Sequence, residues 1–215
     1  MKQKNKITFF LFSLSFFFLF SCKTETTDLS EPEVNPPLTY NIGDEGPAGG
    51  FVFYDKGTYS DGWRYLEAAP VDFGDTDLEW GCYNHSVPAS QFLTIGSGLS
   101  NSEAILASHD SLTNYYSNPA VCSDLSNGTV AAKVCLEYEL NGFDNWHLPS
   151  EDEVFAMYEN LHLNGWGDFQ EPRLYWCSSE HGSNTATATD FEDGSQGLLC
   201  KQCRGVVTIR AVRYF

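Results

Sequence analysis

Cysteines, histidines and carboxylates are the groups in this chain that could do chemistry, and their spacing argues mostly for structure. Six cysteines, Cys82, Cys122, Cys135, Cys177, Cys200 and Cys203, lie beyond residue 80, and Cys22 stands apart near the amino end. An even number in an exported chain argues for disulfides. Six cysteines allow about 15 connectivities, and the expected arrangement pairs Cys177 with one of Cys200 and Cys203 inside a sheet. Cys82, Cys122 and Cys135 then supply another bridge. Cys200-Lys201-Gln202-Cys203 has redox spacing, but redox motifs sit where a strand meets a helix N-terminus that lowers the thiol pKa. This one falls between strands. It is also half a zinc knuckle with no companion pair, so structural bridging is the reading.

His85, His109, His147, His162 and His181 are scattered, with no H-x-x-x-H pair, and no Gly-x-Ser-x-Gly elbow marks a serine hydrolase. Asp190, Glu192 and Asp193 offer carboxylates of the kind glycoside hydrolysis needs, yet they bracket a hairpin turn, where acids are ordinary. Asp72, Asp75, Asp77 and Glu79 crowd one short stretch. Calcium takes six to eight oxygen ligands, and these four residues are the metal candidates. Their spacing is not that of an EF-hand, so a solvated acidic loop is favoured. No catalytic residue is assigned, calcium is the one ion to test, and the chain is read as non-enzymatic.

The elements that would position these groups follow from pattern. Asn141 to Glu153 reads as a loop with a buried tryptophan, a proline stop and a helix start. Ser150 and Glu153 form a capping box, three acids occupy the first turn, and Val154, Met157, Tyr158 and Leu161 make an apolar stripe that ends near Asn164-Gly165. A second box, Ser100 with Glu103, is expected to open an earlier helix, and Ala131 to Tyr138 makes another that stops at Asn141-Gly142. Phe51–Tyr54, ended by Asp55-Lys56-Gly57, should pair with Trp63–Ala69. From Leu174 the chain is β-rich: 174–179, 185–191, a hairpin turn at Asp193-Gly194, 197–203, and a last strand over 206–213. Gly49-Gly50 precedes a strand and is no phosphate loop. This order gives an α+β domain with a mostly antiparallel sheet and two or three helices.

The amino end supplies an address. Lys2, Lys4 and Lys6 precede an apolar run from Ile7 to Phe20, which reads as a secretory signal. The run is short for a transmembrane span of about 20 residues. Leu19-Phe20-Ser21-Cys22 resembles a bacterial lipobox, with Phe20 bulkier than usual, so residues 1–21 are read as a lipoprotein signal peptide and Cys22 as the lipidated residue. Acyl chains would then hold the protein on the membrane. Residues 22–39, rich in Thr, Glu and Pro, read as a disordered tether, and 40–215 as the globular domain. Removing the signal leaves 9 basic against 29 acidic residues, a net charge of −20. Such a surface repels nucleic acid.

Gly49–Tyr54, Ala68-Ala69-Pro70, Trp80-Gly81-Cys82, Ile95–Gly98, Ala131–Cys135, Asn145-Trp146-His147-Leu148-Pro149-Ser150 with Glu153, Tyr175–Glu180 and Ile209–Arg213 together resemble the Lcl C-terminal-like domain family of bacterial surface proteins. The tryptophan-loop element also looks like that of formylglycine-generating enzymes and other C-type-lectin-like folds. The resemblance implies a single C-type-lectin-like, disulfide-stapled domain that binds a glycan or a surface protein, adhesin-fashion. It also implies a cell-surface or outer-membrane location and allows a homo-oligomer. Two departures stand out. The calcium-lectin Glu-Pro-Asn loop and Trp-Asn-Asp strand are replaced by Glu171-Pro172-Arg173 and Trp146-His147. A sulfated ligand, which one family member binds, fits this acidic chain poorly. The alternative is a structural subunit of a surface assembly, and a glycan-active enzyme ranks behind both.

Overall fold

Trp63–Ala68 is the central strand of the first sheet, between Phe51–Ser60 and Val212–Tyr214. The computed structural model describes residues 38–73, 77–170 and 173–215, and Leu38–Phe215 forms one compact unit. The stretches read as signal peptide, lipidation site and tether lie outside the described residues, apart from Leu38 and Thr39.

Strand β1 (Phe51–Ser60) and strand β2 (Trp63–Ala68) form an antiparallel hairpin, Ser60 opposite Trp63. Its turn is Asp61-Gly62, with φ of 53° and 86°. Both central residues left-handed is the turn that matches strand twist. The sequence reading ended β1 at Asp55-Lys56-Gly57. The chain instead shifts register between Asp55 and Ser60, with Gly57 at φ 85°, and continues. A glycine inside a strand marks such an irregularity as readily as an end.

Helix α1 (Gly98–Asp110) starts two residues before the expected box, and Ser100 donates to the Ser97 carbonyl instead of capping. Helix α2 (Ala131–Leu136) is short. Helix α3 (Glu151–Asn160) has the expected capping box, both halves formed. Its Val154, Met157 and Leu161 pack with Phe53, Leu66, Tyr175, Phe191 and Val212, each contributing roughly 1.5–3 kcal/mol of burial. A second cluster gathers Trp80, Trp146, Trp176, Ile105, Leu148 and Ile209.

Strands β3 (Leu174–Glu180), β4 (Thr185–Asp190) and β5 (Gln196–Cys200) run antiparallel in the order β5-β4-β3, and β6 (Val207–Thr208) adds parallel to β3. The expected single strand 206–213 is divided. Its end becomes β7 (Val212–Tyr214), which pairs with β2 in the other sheet. Between the two halves Arg210 is buried, donating to Asp72, Ala69 and Gly167. Satisfying that guanidinium takes precedence over continuing the ladder. Among the described residues the fold is therefore α+β, with three α-helices and two mostly antiparallel sheets.

Disulfides join Cys82 to Cys122 and Cys200 to Cys203, while Cys135 and Cys177 are free and buried. The expected bridge from Cys177 to Cys200 or Cys203 is thus corrected. Cys177 lies on β3 and Cys200 on β5, with β4 between them. Two strand spacings come to about 9.6 Å, beyond the roughly 7 Å Cα limit for a bridge. The Cys177 thiol donates to the Thr187 carbonyl on β4 at 3.1 Å. Burial pushes it up to about 12, and pushes Cys135 up as well.

At the entry to the unit, Tyr40 packs edge-on against Tyr65 and Phe215, with ring centroids at 5.4 and 5.1 Å.

Candidate functional site

The Ser150–Glu153 box reaches well beyond its own helix. Glu153 is fully buried. One carboxylate oxygen accepts the Ser150 N–H at 2.8 Å; the other accepts the Gly96 N–H at 2.8 Å and the Tyr214 hydroxyl at 2.9 Å. His147 Nε2 stands 3.7 Å away. Burial alone would raise this carboxyl, but His147 and the N–H donors outweigh it and hold it below the ordinary range. Glu180 does the same work at the far end of the segment. It accepts the Val87 N–H at 2.7 Å, Ser86 Oγ at 3.0 Å, Gln91 Nε2 at 3.2 Å and Lys201 Nζ at 2.5 Å. Desolvation raises it, and Lys201 leads the groups that bring it below its usual value.

Two buried carboxylates therefore clamp the stretch from Ser86 to Gly96. Its middle is fixed by its own carbonyls. Phe92 O accepts from Asn101 Nδ2 at 2.6 Å and Ser179 Oγ at 2.8 Å, Leu93 O from the Asp152 N–H at 3.0 Å, and Thr94 O from Ser97 Oγ at 2.6 Å and Ser150 Oγ at 3.0 Å. With the backbone held inward, the side chains of Phe92 and Leu93 turn out, 60% and 43% exposed.

Between this segment and the β1–β2 turn runs an open cleft of about 450 Å³. It is lined by Asp61, Trp63, Phe92, Thr94, Ile95, Gly96, Ser97 and Ser100. Trp63 stacks on Tyr214 at 4.8 Å and carries Lys56 Nζ 3.8 Å from its ring centre. The indole thus joins the wall already engaged by the protein, and Phe92 is the freely presented ring. Lys56 also lies 3.7 Å from Asp61.

The metal candidates do not converge. Asp72 accepts from Arg210 Nε at 2.5 Å and from the Tyr175 hydroxyl at 2.7 Å. Asp75 lies outside the described residues. Asp77 is exposed, and Glu79 is buried, accepting the Asn127 N–H at 3.1 Å with Arg204 Nε 3.6 Å away. Burial pushes Glu79 up to about 7. Among the described residues no group of three or more His, Cys, Asp or Glu is placed to hold a metal. The carboxylates of the β4–β5 turn are spent locally, Asp190 accepting the Glu192 N–H and Asp193 the Ser195 N–H.

Of the aromatics with the chemistry to stack on sugars, Trp80 and Tyr115 are core and Tyr138 is half-buried against Trp146 and Phe73. Trp166 and Tyr116 are exposed outside the cleft, and of these residues only Trp63 lines it, together with Phe92. Sequence reasoning missed Phe92, Asp61 and the Glu180–Lys201 pair. A Phe-Leu dipeptide outside any periodic segment was the available signal. No protein-family model matches the chain, and a search of curated proteins returns no match.

Proposed function

We propose that this chain is a surface-anchored lipoprotein whose folded unit is a non-catalytic, adhesin-like binding module, and that the Trp63–Phe92 cleft takes a neutral glycan. The observation that carries the reading is the clamped segment over Ser86–Gly96. Two buried carboxylates are committed to holding a loop in place, which preorganises the cleft it borders and lowers the ordering cost of binding. An exposed ring, two serine hydroxyls and one carboxylate suit a sugar's mixed apolar and hydroxyl surface. Seven of the eight Lys and Arg residues beyond residue 37 already lie in ion pairs. Few cations are left to meet a sulfated or phosphorylated ligand.

The lipid anchor at Cys22 and the bacterial surface location belong to the same proposal, as does membership of the Lcl C-terminal-like family with its C-type-lectin-like fold. No helix among the described residues is long and apolar enough to cross a membrane, which is compatible with attachment through acyl chains. A non-enzymatic role is supported by the employment of Glu67, Glu153 and Glu180, each of which accepts backbone N–H groups of a neighbouring loop.

The test is a broad glycan array probed with the protein in calcium and in chelator. Binding in both, lost in Phe92→Ala, supports the proposal. Binding only in calcium, or binding that Phe92→Ala leaves unchanged, refutes the cleft as the site, and silence in both gives the role to a protein partner or an assembly.

A further inference from the structure

Strand β5, Gln196-Gly197-Leu198-Leu199-Cys200, is an edge with none of the usual protection. Edge strands ordinarily carry lysine, proline or a bulge that discourages further pairing. This one has no charge and no proline, its pairing with β4 is regular from Gln196 to Cys200, and Leu198 is 55% exposed. Among the described residues no strand pairs with its outer side.

Register fixes which backbone groups are free. Asp190 N–H donates to Ser195 O at 2.8 Å and Lys201 N–H to Asn184 O at 3.0 Å. Antiparallel pairs alternate, so Gly197 and Leu199 bond to β4, and the N–H and C=O of Gln196 and Leu198 face outward. On each face of the strand lies a pocket. One, of about 180 Å³, is lined by Leu174, Ala188, Gly197 and Leu199 among others, with Asp190 at its rim. The other, of about 150 Å³, is lined by Leu93, Thr187, His181 and Leu198, with Glu151 at its rim.

An added strand would place alternate side chains on the two faces, directly beside β5, whose own residues line both pockets. Glu151 and Asp190, with Glu192 and Asp193 in the adjoining turn, give the edge a negative border. We propose that β5 is a docking edge for an extended, cationic segment of a partner protein, which adds as a strand and sets alternate apolar side chains into the two pockets. Strand addition of this kind takes affinity from main-chain hydrogen bonds and selectivity from the pockets. A second copy of this chain is the poorer occupant, because it would bring the same acidic turn to the edge.

The test uses the full chain and a labelled peptide of about eight residues in which pairs of lysines alternate with pairs of valines, so that each face carries both, within ordinary strand length. A glutamate–valine peptide is the control. Anisotropy should show saturable binding of the lysine peptide, at least about tenfold weaker for the glutamate peptide, and amide exchange should slow at Gln196 and Leu198. A Cβ at Gly197 would meet nothing within 4 Å and needs no left-handed backbone. Gly197→Leu therefore keeps the fold while filling one pocket, and should weaken binding by about tenfold or more. Leu198→Pro removes one outward N–H without touching the bonds to β4 and should weaken it too. Equal binding of both peptides, unchanged binding by Gly197→Leu, or no saturable binding overturns the proposal. So does a dimer in light scattering that Leu198→Pro abolishes, which would assign the edge to a second copy.

Discussion

Replacing Glu153 by glutamine tests whether one buried carboxylate really fastens three parts of the molecule. The side chain keeps its size and loses its charge and one acceptor oxygen. In the native protein the two oxygens accept from Ser150, Gly96 and Tyr214. Whichever way the amide settles, its NH₂ faces at least one donor. A hydrogen bond to a charged group contributes about 1.5–3 kcal/mol, and a buried donor left unsatisfied costs about 1–3 kcal/mol. Losing one such bond and weakening the others should cost roughly 3–5 kcal/mol, a large share of a typical total of about 5–15. The assay is urea unfolding, read as a midpoint shift at constant slope. The pH dependence supplies a second reading. Glu153 has a depressed folded pKa, so its contribution is present above the ordinary carboxylate pKa and is lost as pH falls through the folded value. The gap between wild type and Glu153→Gln should therefore be constant near neutrality and close only in acid. A loss under about 1 kcal/mol, or a gap independent of pH down to acid unfolding, would refute the clamp.

Glu79 runs the other way: its folded pKa is raised to about 7, so its contribution is complete below the ordinary carboxylate pKa and is lost as pH rises through 7. Thermal melts should decline from pH 5 to 8, and Glu79→Gln should flatten that slope. Lys201→Met leaves Glu180 buried without its cation and should cost about 3–5 kcal/mol in denaturant unfolding. Chain entropy assigns the Cys82–Cys122 bridge about 4 kcal/mol and the four-residue Cys200–Cys203 loop only about 1.9, so the double alanine variants should differ in that order. Phe92→Ala should leave the melting temperature nearly unchanged, since the ring is exposed, while removing glycan binding.

What could be read from the sequence were the features whose partners are near in the chain. The Ser150–Glu153 box, the α3 stripe and the Asp193-Gly194 turn rest on spacings of a few residues and formed as expected. The parts that escaped depend on distant partners. Glu153 also serves Gly96 and Tyr214, 57 and 61 positions away. Arg210 meets Asp72 across 138 residues and interrupts what alternation alone presents as one strand. The expected bridge among Cys82, Cys122 and Cys135 formed as Cys82–Cys122, but the Cys177 pairing failed for the same reason, because spacing says nothing of the strand that intervenes between Cys177 and Cys200. Phe92 was overlooked because an outward ring on an irregular segment has no period; only the inward pull on its carbonyl makes it stand out.

The packing of Tyr40 against Tyr65 and Phe215 has a mechanical consequence. Any pull transmitted through residues preceding Leu38 enters the unit at this aromatic trio. Just beyond it, Gly43 N–H bonds to Val52 O, and Val52 N–H to Asp44 O. Phe215 is itself held to Tyr65 by main-chain bonds in both directions. Load therefore passes from the first described residues into β2 and the carboxyl-terminal segment together. The trio must part before the turn beyond it can peel, and β1, β2 and the cleft beside them stay closed until both have given way.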